Sequence, residues 1–143
     1  MPWGLHTKDT PGQGRILIVD DEDDIRKVLR LTLTKAGYDV VEADHGGKGI
    51  EAIGADDNAL MVDVIICDIR MPKINGVEAI TFFQRQYPSV PVIVLTGYPD
   101  QKMATELLNR GVYDYLVKPV DQDKLLESIA EAMAHRLALK HDH

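Results

Sequence analysis

The chain has 143 residues, 45% hydrophobic and 27% charged, with a formal charge of −7; this fits one domain with a real core and excludes a disordered chain. The acidic balance argues against non-specific binding to nucleic acid or anionic membranes, which needs basic surface, and no apolar run approaches the roughly 18 residues of a membrane helix. A lone cysteine, Cys67, allows no internal disulfide and makes a reducing, cytoplasmic setting the expectation.

Residues 1 to 14 carry Pro2, Gly4, Pro11, Gly12 and Gly14 and read as a loose leader, without the apolar core of a secretory signal. "RILIV" at 15 to 19 is a first strand. From Glu22, apolar residues at Ile25, Val28, Leu29, Leu33 and Ala36 mark one face of a helix, which Gly37 stops. "YDVVEA" is a second strand; Gly46 to Ala55 is a weak helix with a polar loop after it. Val62 to Cys67 is the third strand and Val77 to Gln86 the next helix, with Pro72, Asn75 and Gly76 as turn residues between them. "VPVIVLT" is a fourth strand ending at Thr96. Asp100 caps a helix running through Arg110, with Met103, Leu107 and Leu108 inward. "YDYLV" is the fifth strand, and Asp121 caps a last helix whose Leu125, Ile129, Met133 and Leu137 share a face. Five strand–helix units imply an α/β fold, a parallel sheet covered on both faces. The domain is expected over 15 to 139, with 140 to 143 as a tail.

One residue stands out in this pattern. Asp68 closes the apolar run "VIIC", and a buried carboxylate is costly unless something pairs with it. In such sheets ligands sit beyond the carboxyl ends of the strands, near the switch in strand order. Strand one ends in Asp20 and Asp21, strand three in Asp68, strand four in Thr96, and strand five in Lys118 followed by Pro119. If strand two lies at the edge, the other four are neighbours and their polar ends converge. Three carboxylates at close range repel one another. A hard divalent cation relieves this, and Mg²⁺ fits two carboxylates plus waters and a phosphate oxygen. Such a cation keeps Asp68 ionised, hence nucleophilic. Attack on phosphorus gives an aspartyl phosphate, with Lys118 and the Thr96 hydroxyl binding the phosphoryl oxygens.

"ILIVDDE", "VIICDIRMPKINGVE", "VIVLTGY" and "YDYLVKP", in that order over residues 15 to 136, resemble the receiver domain of two-component response regulators. The resemblance implies a flavodoxin-like receiver fold with five strands in the order 2-1-3-4-5 and five helices. It implies that Asp68 accepts phosphate from a histidine kinase or a histidine phosphotransfer protein. Asp21 would then ligate Mg²⁺ directly, with Asp68 and the Arg70 backbone carbonyl, and Asp20 through a water. Thr96 and Lys118 match the switch pair, and Tyr115 the aromatic that turns when the threonine moves. Lys118–Pro119 matches a cis peptide bond. Arg70 and Tyr98 match positions that flank the path of the hydrolytic water, where they would shield the acyl phosphate. Gly97 would leave room for the phosphoryl group.

Plainer readings compete at single positions. Glu22, Asp23 and Asp24 complement the dipole of the first helix, and Asp20 and Asp21 taken alone are candidate caps. Cys67 reads as a small buried hydrophobe. "GQG" precedes its strand and "HGGKG" lacks the P-loop pattern, so ATP hydrolysis is not expected. The preferred reading is a signalling switch with only self-catalysed phosphorylation and dephosphorylation, not a metabolic enzyme. The alternatives are a degenerate receiver that only binds partners, a flavodoxin-like cofactor module, and an aspartate-nucleophile phosphatase of the haloacid dehalogenase type. That last class needs an acid two residues after its nucleophile, where this chain has Arg70. Expected partners are the phosphodonor and a downstream target or a missing output domain, with a homodimer open; neither nucleic acid nor membrane is expected to bind this domain directly.

Overall fold

The computed structural model describes residues 13–70 and 76–141. Five strands form one parallel sheet in the order β2-β1-β3-β4-β5: β1 (Arg15–Val19), β2 (Asp39–Ala43), β3 (Val62–Cys67), β4 (Val92–Thr96) and β5 (Asp114–Val117). Six helices connect and cover them: α1 (Asp23–Lys35), α2 (Gly46–Gly54), α3 (Asn58–Met61), α4 (Gly76–Gln86), α5 (Gln101–Asn109) and α6 (Gln122–His141). The expected count was five. The additional element, α3, is a single turn inside the stretch read as a polar loop, too short to carry an apolar stripe.

Strand periodicity divides the core in two. Leu17, Val19, Ile65, Cys67, Val92 and Val94 face α2, α4 and α5, where Ile53, Ile80, Phe83 and Leu107 complete one cluster. Ile16, Ile18, Val64, Ile66, Ile93 and Leu95 face α1 and α6 and pack on Leu29, Leu33, Leu125, Ile129 and Met133. All six residues of β3 are buried, as a central strand covered on both sides requires. Each fully buried Ile or Leu contributes about 1.5–3 kcal/mol relative to exposure.

Four helix-face expectations are corrected; Ala36 is exposed because α1 ends at Lys35, one residue before it. Val28, Leu108 and Leu137 are exposed, because each sits at the margin of its apolar stripe, where a 3.6-residue period does not separate packed from solvated positions. The caps are as expected at Asp100, whose side chain accepts from Met103 N–H at 3.1 Å, and Asp121, which accepts from Lys124 N–H at 3.1 Å. Gly37 ends α1 with a φ of +100°, a conformation that favours glycine.

The turn residues Pro72 and Asn75, most of the expected leader and the last two residues of the expected tail lie outside the described residues. Gln13 and Gly14 belong to the folded body: Gln13 N–H donates to Gly37 and the Gly14 carbonyl accepts from Asp39. Among the described residues no helix is long and apolar enough to cross a membrane.

Candidate functional site

Register brings the site together. Val19 pairs with Cys67 across β1 and β3, so the next residue on each strand, Asp20 and Asp68, emerges at the same edge. The Asp68 amide completes the ladder by donating to the Val19 carbonyl at 2.9 Å. Thr96 pairs with Val117, and the Lys118 amide donates to the Thr96 carbonyl at 2.8 Å. The Lys118–Pro119 peptide bond is cis.

Lys118 reaches across to the acids. Its Nζ lies 2.7 Å from Asp20 Oδ2, 2.8 Å from Glu22 Oε1 and 3.0 Å from Asp68 Oδ2. An ammonium has three donors, and all three are spent. Burial opposes the charge on Lys118, but the hydrogen bonds to Asp20, Glu22 and Asp68 outweigh it, so its pKa is raised above the ordinary lysine value. Asp20 is buried too, and burial pushes its carboxyl above the usual range; the bonds from Lys118 and from Glu22 N–H offset this only in part.

Asp68 is buried, with Oδ1 accepting from the Arg70 amide at 3.1 Å. Behind it, Gly76 opens α4 in contact with the main chain: a Cβ there would lie 1.9 Å from the Asp68 carbonyl oxygen and 2.4 Å from Ile69 Cα. Only glycine allows that approach. Cys67, one residue before Asp68, is fully buried, and its thiol donates to the Asp68 carbonyl at 3.3 Å. Burial first, then the neighbouring acids Asp68 and Asp20, push the thiol's pKa strongly upward.

Ligand atoms of Asp20, Asp21, Glu22 and Asp68 all lie within 4.8 Å of one another. Four carboxylates face one lysine, so the cluster is short of positive charge. Its donors are all hard oxygens, which fit Mg²⁺ rather than a thiophilic metal. The sequence pattern assigns Glu22 to the helix dipole in preference to metal binding. It does sit at the N-cap of α1, but its side chain makes no capping bond; it binds Lys118 instead. Its place directly after two strand-end acids was the available signal. Arg26, also unforeseen, donates to the Asp20 carbonyl at 2.7 Å and to the Asp23 carboxylate, bracing the start of α1.

Thr96 is fully buried and its Oγ1 accepts from Tyr98 N–H at 3.1 Å. The Arg70 guanidinium lies over the Tyr98 ring, 4.9 Å from its centroid. Gly97 is less confined than Gly76: a Cβ there would meet only Lys118 Cδ, at 3.8 Å. Tyr115 is half-buried and packs on the α2–α4–α5 side, with its hydroxyl buried and unpartnered among the described residues.

A family model described as the response regulator receiver domain matches residues 16–130. The chain is 37% identical to the transcriptional regulatory protein ZraR of Klebsiella oxytoca over 120 residues, which is 84% of this chain and 26% of that protein. It is 34% identical to the DNA-binding transcriptional regulator NtrC of Proteus hauseri over 123 residues, 86% of this chain and 25% of that one. It thus spans about a quarter of the length of these relatives. Among solved structures it is similar to a response regulator receiver domain protein from Clostridium thermocellum, with a TM-score of 0.82, 30% identity, and coverage of 88% of this chain and 98% of that one. It is also similar to a CheY-like receiver protein from Methanospirillum hungatei JF-1, with a TM-score of 0.80, 30% identity, and coverage of 87% and 97%.

Proposed function

The chain belongs to the response regulator receiver domain family, and on that footing we propose that it is a phosphoacceptor switch in which Asp68 takes a phosphoryl group from a phosphohistidine donor. The observation that carries this reading is the Asp68 carboxylate, buried, bonded to Lys118 and set in an excess of acids. One Asp68 oxygen attacks phosphorus as the bond to the donor imidazole breaks. The bonding pair returns to the imidazole nitrogen, and Asp68 becomes an acyl phosphate. Asp21, Asp68 and the Arg70 backbone carbonyl would hold Mg²⁺, with Asp20 through a water. A bound ion would screen the charge that carboxylates and phosphoryl oxygens share.

The Arg70 amide fixes the Asp68 carboxylate, and Gly97 leaves space above it. Thr96 still has its O–H to donate. Because its oxygen already accepts from Tyr98 N–H, movement toward the phosphoryl group draws the β4–α5 loop along. Tyr115 then turns, and the face formed by α5, β5 and α6 is reshaped. A phosphoryl group adds about 1.5–2 negative charges, and a charge-assisted hydrogen bond is worth about 1.5–3 kcal/mol. Reversing a 1:99 equilibrium takes about 5.5 kcal/mol. Thr96 offers a new bond, whereas Lys118 must exchange an existing one, so a partial shift is expected. Arg70 and Tyr98 form a stacked screen that slows hydrolysis of the acyl phosphate.

The donor is a sensor histidine kinase or a histidine phosphotransfer protein, and the reshaped face acts on an output domain, a separate protein target or a second receiver. A reducing cytoplasm suits the single buried thiol. Intact mass after treatment with acetyl phosphate and Mg²⁺ tests the acceptor. Wild type gains one phosphoryl group and Asp68→Ala none; an unmodified wild type or an equally modified variant overturns the proposal. Tyr115 ring signals in NMR shift when beryllofluoride is added; unchanged signals refute the coupling.

A further inference from the structure

The third bond to Lys118 has a consequence for how the site opens. Lys118 holds no spare donor, and a phosphoryl group brings only acceptors. A phosphoryl oxygen therefore binds Lys118 only if one resident carboxylate leaves. Asp20 is held in place: it is buried, its Oδ2 is on Lys118 and its Oδ1 accepts from Glu22 N–H at 2.9 Å. Asp68 is the acceptor itself, fixed through Oδ1 by the Arg70 amide; its Oδ2 gives up its charge, and with it Lys118, only after the phosphoryl group has arrived. Glu22 differs from both. Its side chain is 56% exposed and makes no capping bond, so it swings out into water without disturbing the start of α1.

Resting on the phosphoacceptor reading, we infer that Glu22 is the displaceable occupant of the phosphoryl subsite: its carboxylate holds Lys118 in the resting protein and yields it to the incoming anion. Glu22 is a positioning residue that acts through Lys118. It sets how readily the site accepts a phosphoryl group, by competing for the same donor and by repelling a second anion. The competition is an exposed ion pair, so its strength is modest and screened by salt.

The test is a titration of the full chain with beryllofluoride at saturating Mg²⁺, for wild type, Glu22→Gln, Glu22→Ala and Asp68→Ala. Removing a partly exposed competing charge tightens the apparent Kd by about two- to fivefold in Glu22→Ala. Glu22→Gln tightens it less, because the amide oxygen still accepts weakly from Lys118. The gain shrinks as salt is raised. Without beryllofluoride, the Lys118 ζ-nitrogen signal moves in both Glu22 variants, a signature that a merely structural helix-start residue would not give. Equal or weaker beryllofluoride binding by both Glu22 variants, with wild type still binding and Asp68→Ala not, overturns the gate and leaves the acceptor intact. No binding by wild type, or equal binding by Asp68→Ala, overturns both.

Discussion

β3 carries a buried aspartate near each end, and the two are treated in opposite ways. Asp63, at the amino end, lies 3.5 Å from Arg136 Nε on α6 and accepts from the Arg15 amide at 3.3 Å. Arg136 is buried as well and is braced by the Ser89 hydroxyl on the far side. Asp68, at the carboxyl end, shares one lysine with two other acids and has Asp21 close by. One end is balanced charge for charge, and the other is left short of positive charge. A strand end built for stability neutralises its acid locally. The proposed cation and phosphoryl anion would need an end left short of positive charge, as the Asp68 end is.

Substitutions sharpen that contrast, because the two ends should respond with opposite signs. The largest effect falls at the balanced end. Arg136→Ala takes the guanidinium away from a buried carboxylate and costs about 3 kcal/mol, a fall in Tm of about 10 °C. A loss below about 1 kcal/mol in urea melts would remove the contrast. Next is Gly76→Ala, which drives a Cβ into the Asp68 main chain. It costs about 1–3 kcal/mol and displaces the Asp68 amide resonance in NMR; an unmoved resonance would mean that close backbone approach does not hold the acid.

Asp20→Asn should have the other sign. Burial raises the Asp20 pKa, so between the ordinary carboxylate value and the raised one the folded chain binds more protons than the unfolded chain. Stability from this group therefore falls as pH rises through that window. The variant loses that slope and gains about 1 kcal/mol at neutral pH, while its Mg²⁺ affinity drops; a destabilised variant would show that Lys118 needs all its acids. The smallest effect is at the screen. Arg70→Ala and Tyr98→Ala each remove an exposed cation–π contact worth about 0.5–1 kcal/mol, so the phosphorylated protein should lose phosphate about two- to fivefold faster. Rates equal to wild type would mean the stack shields nothing.

The sheet was legible because β-branched runs alternate with amphipathic stretches, and the strand order followed once the receiver motifs were seen. The convergence of Asp20, Asp68 and Lys118 was legible from strand ends, since parallel strands deliver their last residues to one edge. Glu22 was not, because a helix-start acid has an ordinary explanation that only the 2.8 Å contact with Lys118 displaces. The Asp63–Arg136 pair joins a central strand to the last helix, far apart in the chain, with no periodic signal to announce it, and α3 is a turn too short to show one. Val28 and Leu108 failed as inward residues because a stripe's edge depends on where the neighbouring helix lies.

Cys67 supplies a built-in reporter of how firmly the middle of the sheet is closed. As the chain's single thiol, shut inside β3 one residue from Asp68 with its proton held tightly, it meets an alkylating reagent only when that strand comes free. The rate of labelling under native conditions therefore counts openings of the central strand. Slower labelling with beryllofluoride bound would give, without any engineered probe, the grip of an occupied phosphoryl pocket on the strand that carries it.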